Sequence, residues 1–395
     1  GQRIILAHAV HLRDQEDRAF RDVDTTEKHL ISLSPADAKE IKALCNNIRK
    51  VKNLAMPVTD LRGAKVTKKT HLPISLLFSA ISAMRIMSSF SRISRDAYIS
   101  RFTHEGLREM LYALTSEKTG VLPLFFTMGT LARGDGGFPE GGSLPFVGRI
   151  VDTFQSLGGE LLLNTRGDRV IVENNKAVGV MVAGKNIPAD AVIITADTMS
   201  VDHLFDTPPK APWLGITADF KKYQKGLVFK LQQPISLAEQ RYEYLSVNNY
   251  ASDPVYSPEG KTAITITLGG DTYDFWKKAK EENRYMDEKQ KLAGVVIEAL
   301  SELIPEIKGH VEVCDVATPL TYERYCSNWK GSWMTEMTPS MKMKTYPATI
   351  NGLSGVYFAG QRMMPPGGLP VALMTGRTAV QYLCRDTGTL FVSEE

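Results

Sequence analysis

Apolar residues recur at helical spacing along the first third of the chain. Ile41, Leu44, Cys45 and Ile48 lie three and four apart behind Ser34-Pro35-Ala36-Asp37. That is a helix start with serine as N-cap and proline in the first turn. The same period predicts helices over 72–90, 94–101, 104–115 and 118–132. The pattern breaks at Gly134, where GDGGFPEGGS (134–143) holds five glycines and a proline and cannot be the interior of a helix or strand. A helix over 143–157 follows, with Leu144, Val147, Ile150, Val151 and Phe154 on one face. Beyond it the period shortens, predicting strands over 160–164, 168–173, 176–183 and 191–195 with turns at Asn174-Asn175 and Gly184-Lys185. Strands are also predicted over 226–232, 241–247, 262–268 and 311–317. A helix is predicted over 287–303, where Leu292, Val295, Val296, Leu300 and Leu303 recur, Asp287 caps the start and Pro305 follows the end. The last unit is a strand over 355–359, a loop over 360–368 and a helix over 369–384.

Composition narrows the class. At 395 residues the chain is too long for one ordinary core and suits two domains. Its 43% hydrophobic and 23% charged residues are ordinary for a globular protein. Lys plus Arg is 47 against 44 for Asp plus Glu, a net charge of only +3. A protein built to neutralise phosphates along a nucleic acid carries far more positive charge, so a nucleic-acid partner is not expected.

The cysteines Cys45, Cys314, Cys326 and Cys384 include no C-x-x-C pair, so neither a zinc site nor a redox dithiol is expected. No Asn-x-Ser/Thr site occurs. The first stretch, GQRIILAHAVHLRDQEDR, turns polar too soon for a secretory signal. A cytoplasmic protein, or one resting on a membrane surface, is expected rather than a secreted one. The longest apolar run, Leu72 to Met84, is too short to span a bilayer and reads as a buried helix or as a surface for membrane contact.

The chemistry concentrates in GVYFAGQRMMPPGGLPVALMTGRTAV (355–380). A short apolar strand stops at Gly360, and Pro365, Pro366, Gly367 and Gly368 lead into a helix. A glycine loop at a helix N-terminus presents backbone N–H groups and the positive end of the helix dipole, and lets a flat ligand approach the backbone. Taken by itself it is equally an ordinary strand–helix connection. His8 and His11 are spaced H-x-x-H without a close acidic partner, and read as packing or surface residues. Asp135 and Glu140 flank the 134–143 turn, where solvated carboxylates are expected. No metal site is expected.

Phe358-Ala359-Gly360, Pro365, Gly367-Gly368-Leu369-Pro370 and Thr375-Gly376-Arg377 strongly resemble the final motif of the phytoene desaturase-like FAD-dependent oxidoreductases. That group includes carotenoid desaturases, carotenoid isomerases and retinol saturases. Gly137-Phe138-Pro139-Glu140-Gly141-Gly142-Ser143 resembles the group's Gly-x-Pro-x-Gly-Gly-Ser turn before a helix, and the stretch from Gly158 to Ile193 resembles its β-meander. Thr318-Pro319-Leu320-Thr321 and Arg324-Tyr325 are also similar. Pro366 replaces the usual glycine, and Gly167 stands where a valine usually touches the adenine through its backbone. Arg362 stands where some flavin enzymes place an acidic residue for the ribityl chain, and would approach a phosphate or face water.

The resemblance implies an α/β fold with a split FAD/NAD(P)-binding Rossmann-like domain, from 134–198 and 350–395, and a mixed α+β substrate domain from 1–133 and 199–349. It implies FAD as cofactor, with Gly141, Gly142, Gly167, Asp168, Gly360, Gln361, Arg362, Gly367, Gly368, Leu369 and Pro370 around it. The implied substrate is apolar, and the reaction is hydride transfer between a C–C bond of a polyene or other isoprenoid and flavin. Non-oxidative polyene isomerisation is the alternative chemistry, and a cofactor-free remnant acting as a binding protein the alternative class. The G-x-G-x-x-G fingerprint of the group's first βαβ unit does not occur in this sequence. The expectation is therefore a member lacking at least ~30 residues of that unit, with weak FAD binding or none. No catalytic residue is singled out, because the flavin carries the redox chemistry in such enzymes.

Overall fold

The computed structural model describes residues 8–12, 15–19, 22–52, 58–68, 74–115, 119–134, 142–197, 215–216, 226–251, 256–332, 337–339, 345–365 and 367–393. Their architecture is α/β, with helices and two larger sheets. The first body is helical. Helices Val23–Leu33, Ala38–Lys52, Ile74–Phe90, Arg95–Ile99, Glu105–Ala113 and Leu122–Arg133 enclose one apolar cluster. In Ala38–Lys52 the buried positions are Ile41, Leu44, Cys45, Asn47, Ile48 and Val51, the stripe a 3.6-residue period produces. Phe90 and Tyr98 both meet the Phe125 ring edge-on, at 5.0 and 5.3 Å, the favoured geometry for aromatic pairs.

This body covers one face of a seven-stranded sheet, ordered Val311–Val313, Gly215–Ile216, Thr262–Thr267, Gln240–Asn249, Gly226–Leu237, His8–Leu12, Gln15–Ala19. Val228 and Tyr244 join the helical cluster. Leu227, Phe229, Leu231, Leu245 and Val247 pack on the opposite face with Val296 and Leu300 of helix Tyr285–Leu303. Strand alternation thus supplies two cores from one sheet. The central hairpin turns on Ala238 and Glu239, both at positive φ (47° and 61°), where Asn-Gly would be unstrained.

The second sheet has strands Thr349–Ile350, Leu353–Phe358, Lys176–Val182 and Arg169–Glu173 in that order. Lys185–Pro188 pairs with Lys176–Val182, and Val192–Ile194 pairs in parallel with Leu353–Phe358, placing Val356 opposite Val192 and Phe358 opposite Ile194. Helix Leu369–Thr387 packs on it through Ala379, against Tyr357 and Ala359. Arg377 and Gln381 of this helix both bond Asp60 Oδ1, at 2.8 and 2.9 Å, tying the 58–64 loop to it. Strand Leu390–Phe391 then pairs with Lys65–Val66.

Three expectations are corrected. Residues 160–164 form no strand. Leu161, Leu162 and Leu163 are exposed, the last at 72%, and they pair with no neighbouring strand, so their apolar run does not become a sheet. The second meander turn is Ala183-Gly184 (φ 48° and 76°) rather than Gly184-Lys185. Lys185 instead opens an unforeseen short strand, held by Val180 pairing with Ile187. Helices Val23–Leu33, Tyr273–Glu281 and Pro319–Cys326 were not foreseen.

Helix Ser143–Ser156 buries none of its residues. Its predicted apolar face is present but open, with Leu144 82% exposed and Val147, Ile150 and Phe154 about half exposed. Among the described residues no helix is long and apolar enough to cross a membrane.

Candidate functional site

Strand Leu353–Phe358 ends in Gly360 at φ 123°, followed by the single 3-10 turn Gln361–Met363. The loop returns through Gly367 (φ 102°) and Gly368 (φ 87°) into helix Leu369–Thr387. Its base is pinned by Thr375, whose buried hydroxyl accepts the Gly360 N–H at 2.9 Å. A Cβ at Gly360 would stand 3.1 Å from the Thr195 carbonyl oxygen, and one at Gly367 would stand 2.8 Å from that of Gln361. At Gly368, among the described residues, only Pro370 Cδ, at 3.9 Å, would be near. Glycine is required at 367 by both space and backbone, and at 368 by backbone alone.

Gly368 caps its helix with φ 87° and ψ −179°, and Gly142 caps helix Ser143–Ser156 with φ 87° and ψ −172°. The two N-caps share one conformation, essentially restricted to glycine. Neither supplies a capping side chain, so both helix ends present their first backbone donors to whatever lies in front. They differ in what approaches. The Tyr256 hydroxyl fills the place of a Gly142 Cβ, whereas the space at Gly368 is open and the adjoining Leu369 is exposed, like Pro370.

The other expected residues separate. Gly141, Asp135, Glu140 and Pro366 lie outside the described residues. Gly167 is exposed at the start of strand Arg169–Glu173. Asp168 is occupied: its N–H donates to the Met181 carbonyl at 2.7 Å and its carboxylate accepts the Ala183 N–H at 2.8 Å. Arg362 is mostly enclosed, with its side chain 13% exposed. Its Nη2 donates to Ser332 Oγ at 2.7 Å and to the Ser332 carbonyl, and its Nε lies 3.4 Å from Asp197 Oδ2. Asp197, Ser332 and Trp329 adjoin the 360–368 loop around Arg362, and Tyr256 adjoins Gly142; none was foreseen. The available signal was Asp197 itself, an acidic residue just beyond the C-terminal end of a parallel strand, where α/β sheets place their ligands. Among the described residues no cluster of His, Cys, Asp and Glu could hold a metal ion.

The sequence pattern of the family described as "Flavin containing amine oxidoreductase" matches residues 74–384. The chain belongs to this family. It is 25% identical over 277 residues to a chloroplastic prolycopene isomerase of Daucus carota, covering 64% of this chain and 44% of that protein. It is 25% identical over 120 residues to an all-trans-retinol 13,14-reductase of Danio rerio, covering 27% of this chain and 19% of that protein. The chain thus spans less than half the length of these curated relatives. An oxidoreductase from Methanosarcina mazei has the same fold, with a TM-score of 0.51 at 15% identity, over 96% of this chain and 81% of that structure. The names of both relatives are consistent with the phytoene desaturase-like flavin oxidoreductases that the C-terminal motif resembles.

The backbone at Gly368 has the room that a flat cofactor ring of the family would need. A flat group can lie against backbone where Gly368 carries no Cβ, with Leu369 and Pro370 beside it. Arg362 is bonded to Ser332.

Proposed function

We propose that the chain carries out flavin-dependent hydride transfer at a C–C bond of an apolar polyene or other isoprenoid, with the flavin ring seated on residues 360–370. The observation that carries this is the Gly367-Gly368 loop, whose conformation is restricted to glycine and which at Gly368 has no described neighbour closer than Pro370 Cδ. When bound, the flavin would accept or donate the hydride. The protein's own share is positioning: Gly368 would admit the ring to the backbone, Gly360 and Gly367 let the loop fold tightly against the Thr195 and Gln361 carbonyls, Thr375 fixes the loop, and Leu369 and Leu373 offer an apolar edge. Family membership supports the cofactor. The names of the two relatives support the substrate class, since prolycopene and all-trans-retinol are both conjugated polyenes. One of them is named an isomerase, which favours non-oxidative isomerisation as a second reading of the same site. We place contact with the membrane that stores such substrates at exposed Ile81, Met84 and Val58.

The test is incubation of the purified chain with reduced and with oxidised FAD and a polyene, products being separated by chromatography. A product differing by two hydrogens supports hydride transfer. A geometric isomer formed only with reduced flavin supports the second reading. No conversion, together with no flavin binding in an absorbance titration, removes the proposal.

A further inference from the structure

Asp197 and Arg362 follow two strands that lie side by side in parallel, Val192–Ile194 and Leu353–Phe358. The sheet therefore brings them together at one end. Both are nearly enclosed, with side chains 1% and 13% exposed. They converge on a third segment. Asp197 Oδ2 accepts the Trp329 N–H at 2.9 Å while lying 3.4 Å from Arg362 Nε, and Arg362 Nη2 holds Ser332. Nε itself makes no hydrogen bond. The pair is in electrostatic contact without being closed.

The segment so held is strained. Ser327 and Lys330, neither a glycine, both sit at φ 51°. Gly331 has φ 60°, and a Cβ there would fall 1.8 Å from the Pro319 carbonyl oxygen. A non-glycine residue in this region is strained and persists where its surroundings enforce it. The turn also has bonds of its own: Asn328 Nδ2 donates to the Ser332 carbonyl at 3.1 Å, the Asn328 carbonyl accepts the Gly331 N–H at 2.9 Å, and the Trp329 carbonyl accepts the Ser332 N–H at 3.0 Å and hydroxyl at 2.7 Å, while Lys330 Nζ lies 3.3 Å from Asp274. The restraints from the cofactor-type sheet are Asp197 on Trp329 and Arg362 on Ser332. On its outer side the turn displays Trp329, 46% exposed, with the Lys330 ammonium 5.6 Å from that ring and 5.3 Å from the Tyr273 ring.

We propose that Asp197 and Arg362 are a positioning pair that latches the strained turn 327–332 onto the loop 360–368, so that the setting of the Trp329–Lys330 face depends in part on the place the loop holds. Filling of the glycine cradle is then felt at Trp329. The coupling to a cofactor rests on the reading of the loop as a flavin cradle; the latch does not.

Trypsin tests both halves, because it cuts after Lys330. Local opening exposes that bond without global unfolding. The full chain is digested under native conditions, with fragments assigned by mass. Asp197→Asn and Arg362→Gln are expected to be cut at Lys330 about ten-fold faster than the parent, equivalent to ~1.4 kcal/mol of local opening, while their melting stays cooperative. Arg362→Lys keeps the charge but lacks the fork that reaches both Ser332 and Asp197, so its rate should fall between. Equal rates in parent and folded variants overturn the latch. If a variant does not fold, hydrogen exchange in the parent decides: a Trp329 amide exchanging as fast as an unbonded one overturns the latch, and a protected one supports it. FAD should slow the cut in the parent and not in Asp197→Asn. Faster cutting in the variants with no FAD effect on the parent in spite of flavin binding removes the coupling. No flavin binding at all refutes the cradle reading.

Discussion

The hydroxyl of Thr375 accepts the Gly360 N–H at 2.9 Å and donates within its own helix to the Val371 carbonyl at 2.7 Å. One buried side chain thus joins the end of the strand to the first turn of the helix that follows it. Thr375→Val keeps the shape and removes both bonds. It should lower stability by about 1–2 kcal/mol, because the Gly360 N–H loses its partner, and weaken flavin retention more than a surface substitution of equal thermal cost. Denaturant unfolding and a flavin titration on the same preparation check this.

Two glycines of the same motif should respond with opposite signs. Gly376 lies within helix Leu369–Thr387, and a Cβ there meets nothing within 4 Å. Gly376→Ala should stabilise by about 0.5–1 kcal/mol, the ordinary gain in a helix interior. Gly368→Ala, at φ 87°, should destabilise by about 1–3 kcal/mol. Bound flavin per folded protein should fall in Gly368→Val beyond what its folded fraction explains. A fall only in step with folded protein would reduce these glycines to turn formers. Circular dichroism and flavin absorbance separate the outcomes.

Asp37 supplies a pH dependence far from the site. It is buried, and its carboxylate accepts the N–H of Thr103 at 2.8 Å, the N–H of His104 at 3.0 Å, and the hydroxyls of Ser34 at 2.8 Å and Thr103 at 2.9 Å. Burial acts to raise its pKa, but the hydrogen bonds from His104, Thr103 and Ser34 outweigh it and hold it below the ordinary value. A depressed carboxylate stabilises the fold in full above the ordinary pKa of about 3.9, and the contribution is lost as pH falls through the folded value. Asp37→Asn should therefore be less stable near neutrality and lose less than the parent between about pH 4 and pH 2. Acid titration of stability checks the difference in slope.

The thiols should label in a set order. Burial pushes Cys45 up to about 12, and since the thiolate is the reactive form, it should stay unlabelled until the chain unfolds. Burial also raises Cys314, with Asp315 adding to the effect. Cys326 is exposed and should react before Cys314. Mass spectrometry of briefly alkylated native protein reads the order.

Much of the fold is legible where one period dominates. Leu292, Val295, Val296, Leu300 and Leu303 define helix Tyr285–Leu303, and the run Val356-Tyr357-Phe358 defines a strand buried on both faces. Leu161 to Leu163 mislead because apolarity alone favours a strand, while the backbone partner decides whether one forms. Helix Tyr273–Glu281 buries only Trp276 and Ala279, too thin a stripe to register. The glycine loop was legible because positive φ selects glycine in any fold. The Asp197–Arg362 contact was not, because it depends on which strands become neighbours, and the spacing of residues along the chain carries no trace of that.

The open stripe of helix Ser143–Ser156, with Leu144, Val147, Ile150 and Phe154 in water, bears on calorimetry. Heat capacity rises on unfolding because apolar surface becomes newly hydrated, normally by about 12–15 cal/mol/K per residue. Surface that is hydrated before melting adds nothing to that increment. The chain by itself should fall below the usual figure and show a flatter curve of stability against temperature, and anything that covers the stripe should restore the curvature.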